Sequence, residues 1–366
     1  MKKLGIFMAV ILLSLVVGTF FIQEQVLQTD VTKEQTKVGF LLSGSCEDYS
    51  WGQSHFEGME KSAKELNLDV EYRENVPQSE ECLEIMEELI DSGCEIIICN
   101  SFGFGEWELE AANRHPKVHF YHAAGEKQAR NMATYFGRMY QMRYLSGLVA
   151  GLQTETNEIG YVAAFPLSEV NRGINAFTLG VRKVNPDAEV YVEWTNSWDE
   201  DASTEVATRK LIENHKIDVL AMHTDSIKAL EIAEEEGIWA IGYNLDNSKK
   251  FPKTFLTAPV WKWEAFYEPR ILECLQNRFE GINYWEGAET HLVALAPCTN
   301  NVKPGIEEVV REEQERMESG TFDVFYGPIK DNKGEVRIED GESMTDDSML
   351  HEFDWYVEGV TIDVEQ

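Results

Sequence analysis

The stretch KVGFLLSG (37–44) is a short apolar run ending in a turn, and the pattern SHFEGMEKSAKELN (54–67) after it spaces its apolar residues as a helix does. LDVEYREN (68–75), SEECLEIMEELIDSG (79–93), CEIIICN (94–100), GEWELEAANRHP (105–116) and KVHFYHA (117–123) continue the alternation of strand and helix. Strands separated by helices of ten to fifteen residues predict βαβ units on a parallel sheet.

After the helical segment YQMRYLSGLVAGLQT (140–154) the same order starts again. NEIGYVAAF (157–165), AEVYVEWTN (188–196), IDVLAMHT (217–224) and IWAIGYN (238–244) read as strands. SEVNRGINAFTLGVRKVNP (168–186), DASTEVATRKLIENH (201–215) and SIKALEIAEEEG (226–237) read as the helices between them. Two consecutive α/β sets predict two doubly wound lobes. TFLTAPV (254–260), WEAFYEPRILECLQNRF (263–279) and HLVALAP (291–297) are expected to run back between them. The expected division is 37–154 with 261–288 for one lobe and 155–260 with 289–366 for the other. A hairpin turn is expected at Asp331–Gly334.

Upstream, Lys2 and Lys3 precede nineteen uncharged residues, Leu4–Ile22. As a helix this segment rises about 28 Å, close to the roughly 30 Å of a bilayer's apolar core. The lysines favour leaving the short end in the cytoplasm, so the rest of the chain is expected outside it. Residues 1–22 are read as an uncleaved membrane anchor, with a cleaved export signal as the alternative, and 23–36 as a polar tether. No cysteine precedes Cys46, so the segment offers no thiol for lipid attachment.

The chain carries 65 acids against 32 bases, a net charge of −33. Such a surface repels nucleic acid, which is excluded as a partner. The six cysteines are too few to staple 366 residues and show no metal-ligand spacing, so they are expected as core thiols. The eight histidines also lack ligand spacing. No GxSxG, HExxH or GxxxxGK[ST] occurs, and Gly103 and Gly105 lack the third glycine of a dinucleotide fingerprint. No catalytic residue, cofactor or metal is expected. An exported hydrolase on this scaffold has no nucleophile–base motif behind it.

Ligands of open α/β sheets bind outside the carboxyl ends of the strands. The residues placed there are Asp48 and Trp51, Ser101 and Phe102, and His122 in the first set. In the second they are Phe165, Trp198, Asp225, Tyr243 and Asn244, followed by Trp261, Lys262 and Trp263. Aromatic rings sandwich a planar ligand, and carboxylates accept from its N–H or hydroxyl groups. His223 beside Asp225 is read as structural or ligand-contacting in preference to an acid–base pair.

At these positions the chain resembles the basic membrane protein family, substrate-binding components of ABC transporters that include purine base and nucleoside receptors. The matching pieces include KVGFLLSG with DYSWGQSHFEGM (48–59), CNSFGFGEWELEAANRHPKVHF (99–120) and NMATYFGRMYQMRYLSGLVAG (131–151). The series continues through IGYVAAFPLSEVNRGINAFTLGVRKVNPDAEV (159–190), HTDS (223–226) and GYNLD (242–246), and ends in GTFDVFYGPIKDNKGEV (320–336) and DWYVEGV (354–360). The resemblance implies a type I periplasmic-binding-protein fold that closes by a hinge on one small molecule. It also implies ligand roles for Asp48, Trp51, Ser101, Phe102, Phe165, Trp198, Asp225, Tyr243 and Trp263. The family's Gram-positive members are usually lipoproteins, and the missing lipobox cysteine sets this chain apart. The expected function is an extracytoplasmic receptor that hands a purine base or nucleoside to ABC permease subunits. The alternative is a membrane-tethered, ligand-sensing regulatory protein of the same fold that feeds no transporter.

Overall fold

The computed structural model describes residues 35–362. The expected anchor at Leu4–Ile22 and nearly all of the tether lie outside them. Among the described residues no helix is long and apolar enough to cross a membrane.

The first half runs β1 (Lys37–Leu41), α1 (Trp51–Leu66), β2 (Asp69–Arg73), α2 (Glu81–Asp91), β3 (Ile96–Cys99), α3 (Gly105–Arg114), β4 (His119–Ala123) and β5 (Met132–Gly137). Helix α4 (Tyr140–Gln153) leads to the second half. There follow β6 (Glu158–Ala163), α5 (Ser168–Val184), β7 (Glu189–Trp194), α6 (Asp201–Asn214), β8 (Val219–His223), α7 (Lys228–Glu236), β9 (Trp239–Ile241) and β10 (Phe255–Thr257). The return comprises β11 (Pro259–Trp261), α8 (Glu264–Leu275), β12 (Asn283–Glu286) and β13 (Val293–Leu295). The tail adds α9 (Ile306–Glu318), the β14 (Ile329–Lys330) and β15 (Val336–Ile338) hairpin, α10 (Asp346–His351) and β16 (Val360–Ile362).

Two six-stranded parallel sheets result, β2-β1-β3-β4-β5-β12 and β16-β7-β6-β8-β9-β10. The shared inner order puts the first strand of each set between its second and third, which is double winding. Both sheets have helix-covered faces, so their central strands are apolar throughout; all four residues of β3 are buried.

The run TFLTAPV is not one strand. It breaks at Ala258, with β10 in the second sheet and β11 pairing antiparallel with β13, Pro259 opposite Leu295. Two of the passages between the sheets therefore lie side by side as a ribbon. The third, after α4, is clamped by Asp218, whose carboxylate accepts from Thr154 Oγ1 and the Glu155 amide, each at 2.6 Å. Helices α4 and α5 cross so closely that a Cβ on Gly147 would strike the Phe177 carbonyl, and one on Gly180 that of Tyr144. All six cysteines are free thiols, and Cys82, Cys94, Cys99 and Cys274 are buried.

Candidate binding cleft between the lobes

The loop after β1 turns into α1 through Asp48, whose carboxylate accepts from the amides of Ser50 (2.8 Å), Gly52 (2.7 Å) and Gln53 (2.9 Å). This carboxylate caps the helix, where the positive end of the dipole favours an anion. Trp51, the first residue of α1, donates Nε1 to the Asn100 carbonyl at 2.9 Å, and its ring spans from β1 to β3. Trp261 and Trp263, just before the start of α8, stack with centroids 4.4 Å apart. Trp51 meets both edge-on, at 5.8 and 5.5 Å.

The second sheet brings Asp225, Tyr243 and Asn244 to the same place. Asn244 has a left-handed backbone (φ 66°), a conformation asparagine tolerates, and it is completely buried. Its Nδ2 donates to Asp225 Oδ1 at 2.8 Å and to Ser50 Oγ of the other lobe at 2.9 Å. Its Oδ1 accepts from Trp261 Nε1 at 3.0 Å. Asn247 Nδ2 makes a second bridge, to the Tyr49 carbonyl at 3.0 Å. Asp225 is also tied by its backbone, its amide donating to the Trp198 carbonyl at 2.6 Å. Trp198 faces Phe165 at 5.9 Å.

Burial, followed by the charge of Asp48 from the opposite lobe, drives the Asp225 carboxyl well above the ordinary carboxylate range. Burial also raises Asp48, against the pull of its three amides. Two carboxyls therefore converge among aromatic rings, an arrangement suited to accept from N–H or O–H donors of a flat ligand. The match of residues 35–321 to the Bmp family, PnrA-like ABC transporter substrate-binding proteins, covers the first sheet, all of the second but β16, and this cleft.

The chain belongs to that family.

A purine-binding protein of Brucella abortus is 34% identical to this family member over 90% of the chain and 93% of its own length. An ABC transporter glucose-binding protein of Haloferax volcanii is 32% identical over 86% of the chain and 77% of its own length. Among solved structures, an ABC transporter solute-binding protein from Conexibacter woesei superposes with a TM-score of 0.68 at 19% identity, over 79% of this chain and 98% of that one. The fold is thus the two-lobed fold of solute-binding proteins.

Not every residue singled out from the sequence of this substrate-binding protein stands at the centre of the cleft. His122 is buried, with Nε2 2.9 Å from the Ser101 carbonyl and its ring packed against Gly105 and Gly125, so it props the turn after β3. Phe102, on that turn, is 62% exposed, and Lys262 is exposed. Trp263 is completely buried, donating to Ser54 Oγ at 3.1 Å and stacking on His55 at 4.1 Å. Ser50, from the loop after β1, belongs to the cluster, and His55 and Phe136 join it without having been singled out. Phe136, the next-to-last residue of β5, lies 5.0 Å from Trp261, and β5 itself was missed because MATYFG runs directly into the helical segment. A buried arginine packed on Tyr243, Arg143, was missed too. Its signal was a single charge inside the apolar stretch MRYLSGLVAG.

A hollow of about 400 Å³ lies away from the cleft, lined by Arg138, Tyr140, Met317, Phe322, Met344 and Asp346 among others. The Arg138 guanidinium there makes a two-pronged pair with Asp346, at 2.9 and 2.7 Å. It contains none of the rings or carboxyls described above, and the cleft is the better candidate on chemistry.

Proposed function

We propose that the chain is the extracytoplasmic receptor of an ABC importer, and that it takes a purine base or nucleoside between its lobes for delivery to permease subunits. The observation that carries this reading is the convergence of Trp51, Phe165, Trp198 and Tyr243 with Asp48 and Asp225 from both lobes, in a chain 34% identical to a purine-binding protein. Each stacked ring adds roughly 1 kcal/mol beyond the area it covers. In this reading residues 37–154 and 261–288 form one lobe and 155–260 with 289–366 the other. Leu4–Ile22 holds the receptor at the outer face of the membrane.

Calorimetry of residues 37–366 with adenine, guanine, adenosine, guanosine and inosine tests the ligand. Glucose is the control for the second reading, which the 32% identical glucose-binding relative favours. Asp225→Ala is expected to weaken purine binding roughly 5- to 150-fold, since a lost buried partner costs about 1–3 kcal/mol. Trp198→Ala is expected to weaken it as well, with secondary structure intact in both. Binding of glucose and of no purine overturns the assignment. Dependence of purine uptake on adjacent permease genes separates the importer from a sensor. Membrane fractionation without palmitate labelling is the result expected for the anchor.

A further inference from the structure

Arg143, on α4, is 1% exposed and lies against Tyr243. A guanidinium carries five N–H donors. Nη1 donates to the Met222 carbonyl at 2.6 Å, and the plane of the group lies over the Tyr243 ring at 3.8 Å. Nε and Nη2 are buried with no partner. A buried charged donor left unpaired is strongly unfavourable, so a partner belongs there.

The obvious candidate within the protein does not fill the role. Glu169, in the first turn of α5, has Oε1 3.4 Å from His223 Nε2, and no hydrogen bond joins it to Arg143. His223, Arg172 and Arg143 together hold the Glu169 carboxyl below its ordinary range, against burial. Burial and the charge of Arg143 push His223 down to about 4, so its ring is neutral. Arg143 and Arg172 thus both act on Glu169.

The unmet donors adjoin the candidate ligand site. Arg143 lies over the Tyr243 ring, and the next residue, Asn244, holds Asp225. Around these two consecutive residues, then, stand a fixed donor group and a carboxyl acceptor. The edge of a 6-oxopurine presents an acceptor, O6, next to a donor, N1–H. Adenine presents the reverse, with a donor at N6 and an acceptor at N1. We propose that Arg143 donates to an oxo group of the ligand while Asp225 accepts from the neighbouring ring N–H, so that the receptor prefers hypoxanthine, guanine or xanthine to adenine. This proposal rests on the purine reading above.

Calorimetry on the exported receptor with hypoxanthine, guanine, xanthine and adenine tests it. The parent is expected to bind at least one oxopurine roughly 10-fold or more tighter than adenine, because a site built to hydrogen-bond a group rejects the analogue that lacks it. Arg143→Met is expected to remove that preference, weakening oxopurine binding roughly 10-fold more than adenine binding. Arg143→Lys, which keeps the charge without the fork, is expected to retain part of it. If Arg143→Met does not fold, the parent's discrimination and the Arg143→Lys ratio decide. Adenine bound as tightly as every oxopurine, or equal losses for all bases in the variants, overturns the inference and leaves the purine reading standing. Failure of every purine to bind overturns both.

Discussion

Asn244 and Ser50 meet across the cleft, amide nitrogen to hydroxyl oxygen, at 2.9 Å. The same side chain reaches Asp225 and receives the indole N–H of Trp261, so one buried residue fastens both lobes and the β11 passage. Asn244→Leu removes all of these bonds and leaves buried groups unpaired, which costs about 1–3 kcal/mol. Ligand affinity is expected to fall roughly 5- to 150-fold by calorimetry, with far-ultraviolet dichroism unchanged. An unaltered affinity would show that this contact has no part in closure.

Closure itself is a separate expectation. The passages near 154–157, 257–260 and 289–296 are short, and β11 and β13 pair along two of them. Such a joint bends as a hinge while each sheet moves as a rigid body. Small-angle scattering of residues 37–366 is expected to give a smaller radius of gyration with saturating ligand. The change should shrink in Asn244→Leu, and no change in the parent with a confirmed ligand counts against the hinge.

The two cleft carboxyls give a pH dependence with a definite sign. Burial and Asp48 raise the folded-state pKa of Asp225 above its ordinary 3.8. The folded protein therefore binds a proton that the unfolded chain releases once the pH passes that value. Stability associated with this group is fully present below it and is lost as pH rises toward the folded pKa. Asp225→Asn abolishes the titration. Its melting temperature is expected to exceed the parent's at pH 7, and the gap should narrow towards pH 4. A gap that widens on acidification would reverse the assignment of cause.

The strand–helix alternation was readable because parallel strands buried on both faces leave continuous apolar runs such as EIIIC, with amphipathic helices between them. β12 and β16 were not read, since NYWE and VTI are short edge strands whose only support is one neighbour, Tyr284 opposite Tyr135 and Thr361 opposite Tyr191. Strand-end position brings Asp48, Trp51, Asp225 and Asn244 into one cluster. The ring of His122 instead turns under its own loop, because the direction of a side chain at a strand end depends on the loop that covers it. Arg143 escaped because it sits on a helix, where the strand-end rule does not look.

Glu108 offers a test far from the cleft. It lies on the inner face of α3, completely buried between the first sheet and Cys82, and both carboxyl oxygens lack a hydrogen-bond partner. Burial drives the carboxyl well above its ordinary 4.5, outweighing the opposing pull of the Cys99 thiol. The folded protein keeps this group protonated, whereas the unfolded chain ionises it above that pH, so its contribution to stability declines as pH rises. A methionine of similar reach needs no partner. Glu108→Met is therefore expected to stabilise the protein by about 1–3 kcal/mol at neutral pH, as measured by urea unfolding. The advantage should grow between pH 5 and 8, while ligand affinity stays at the parent's value because no cleft residue is touched. A variant less stable than the parent at pH 8 would mean that Glu108 has a stabilising partner, and that its burial is not a net cost.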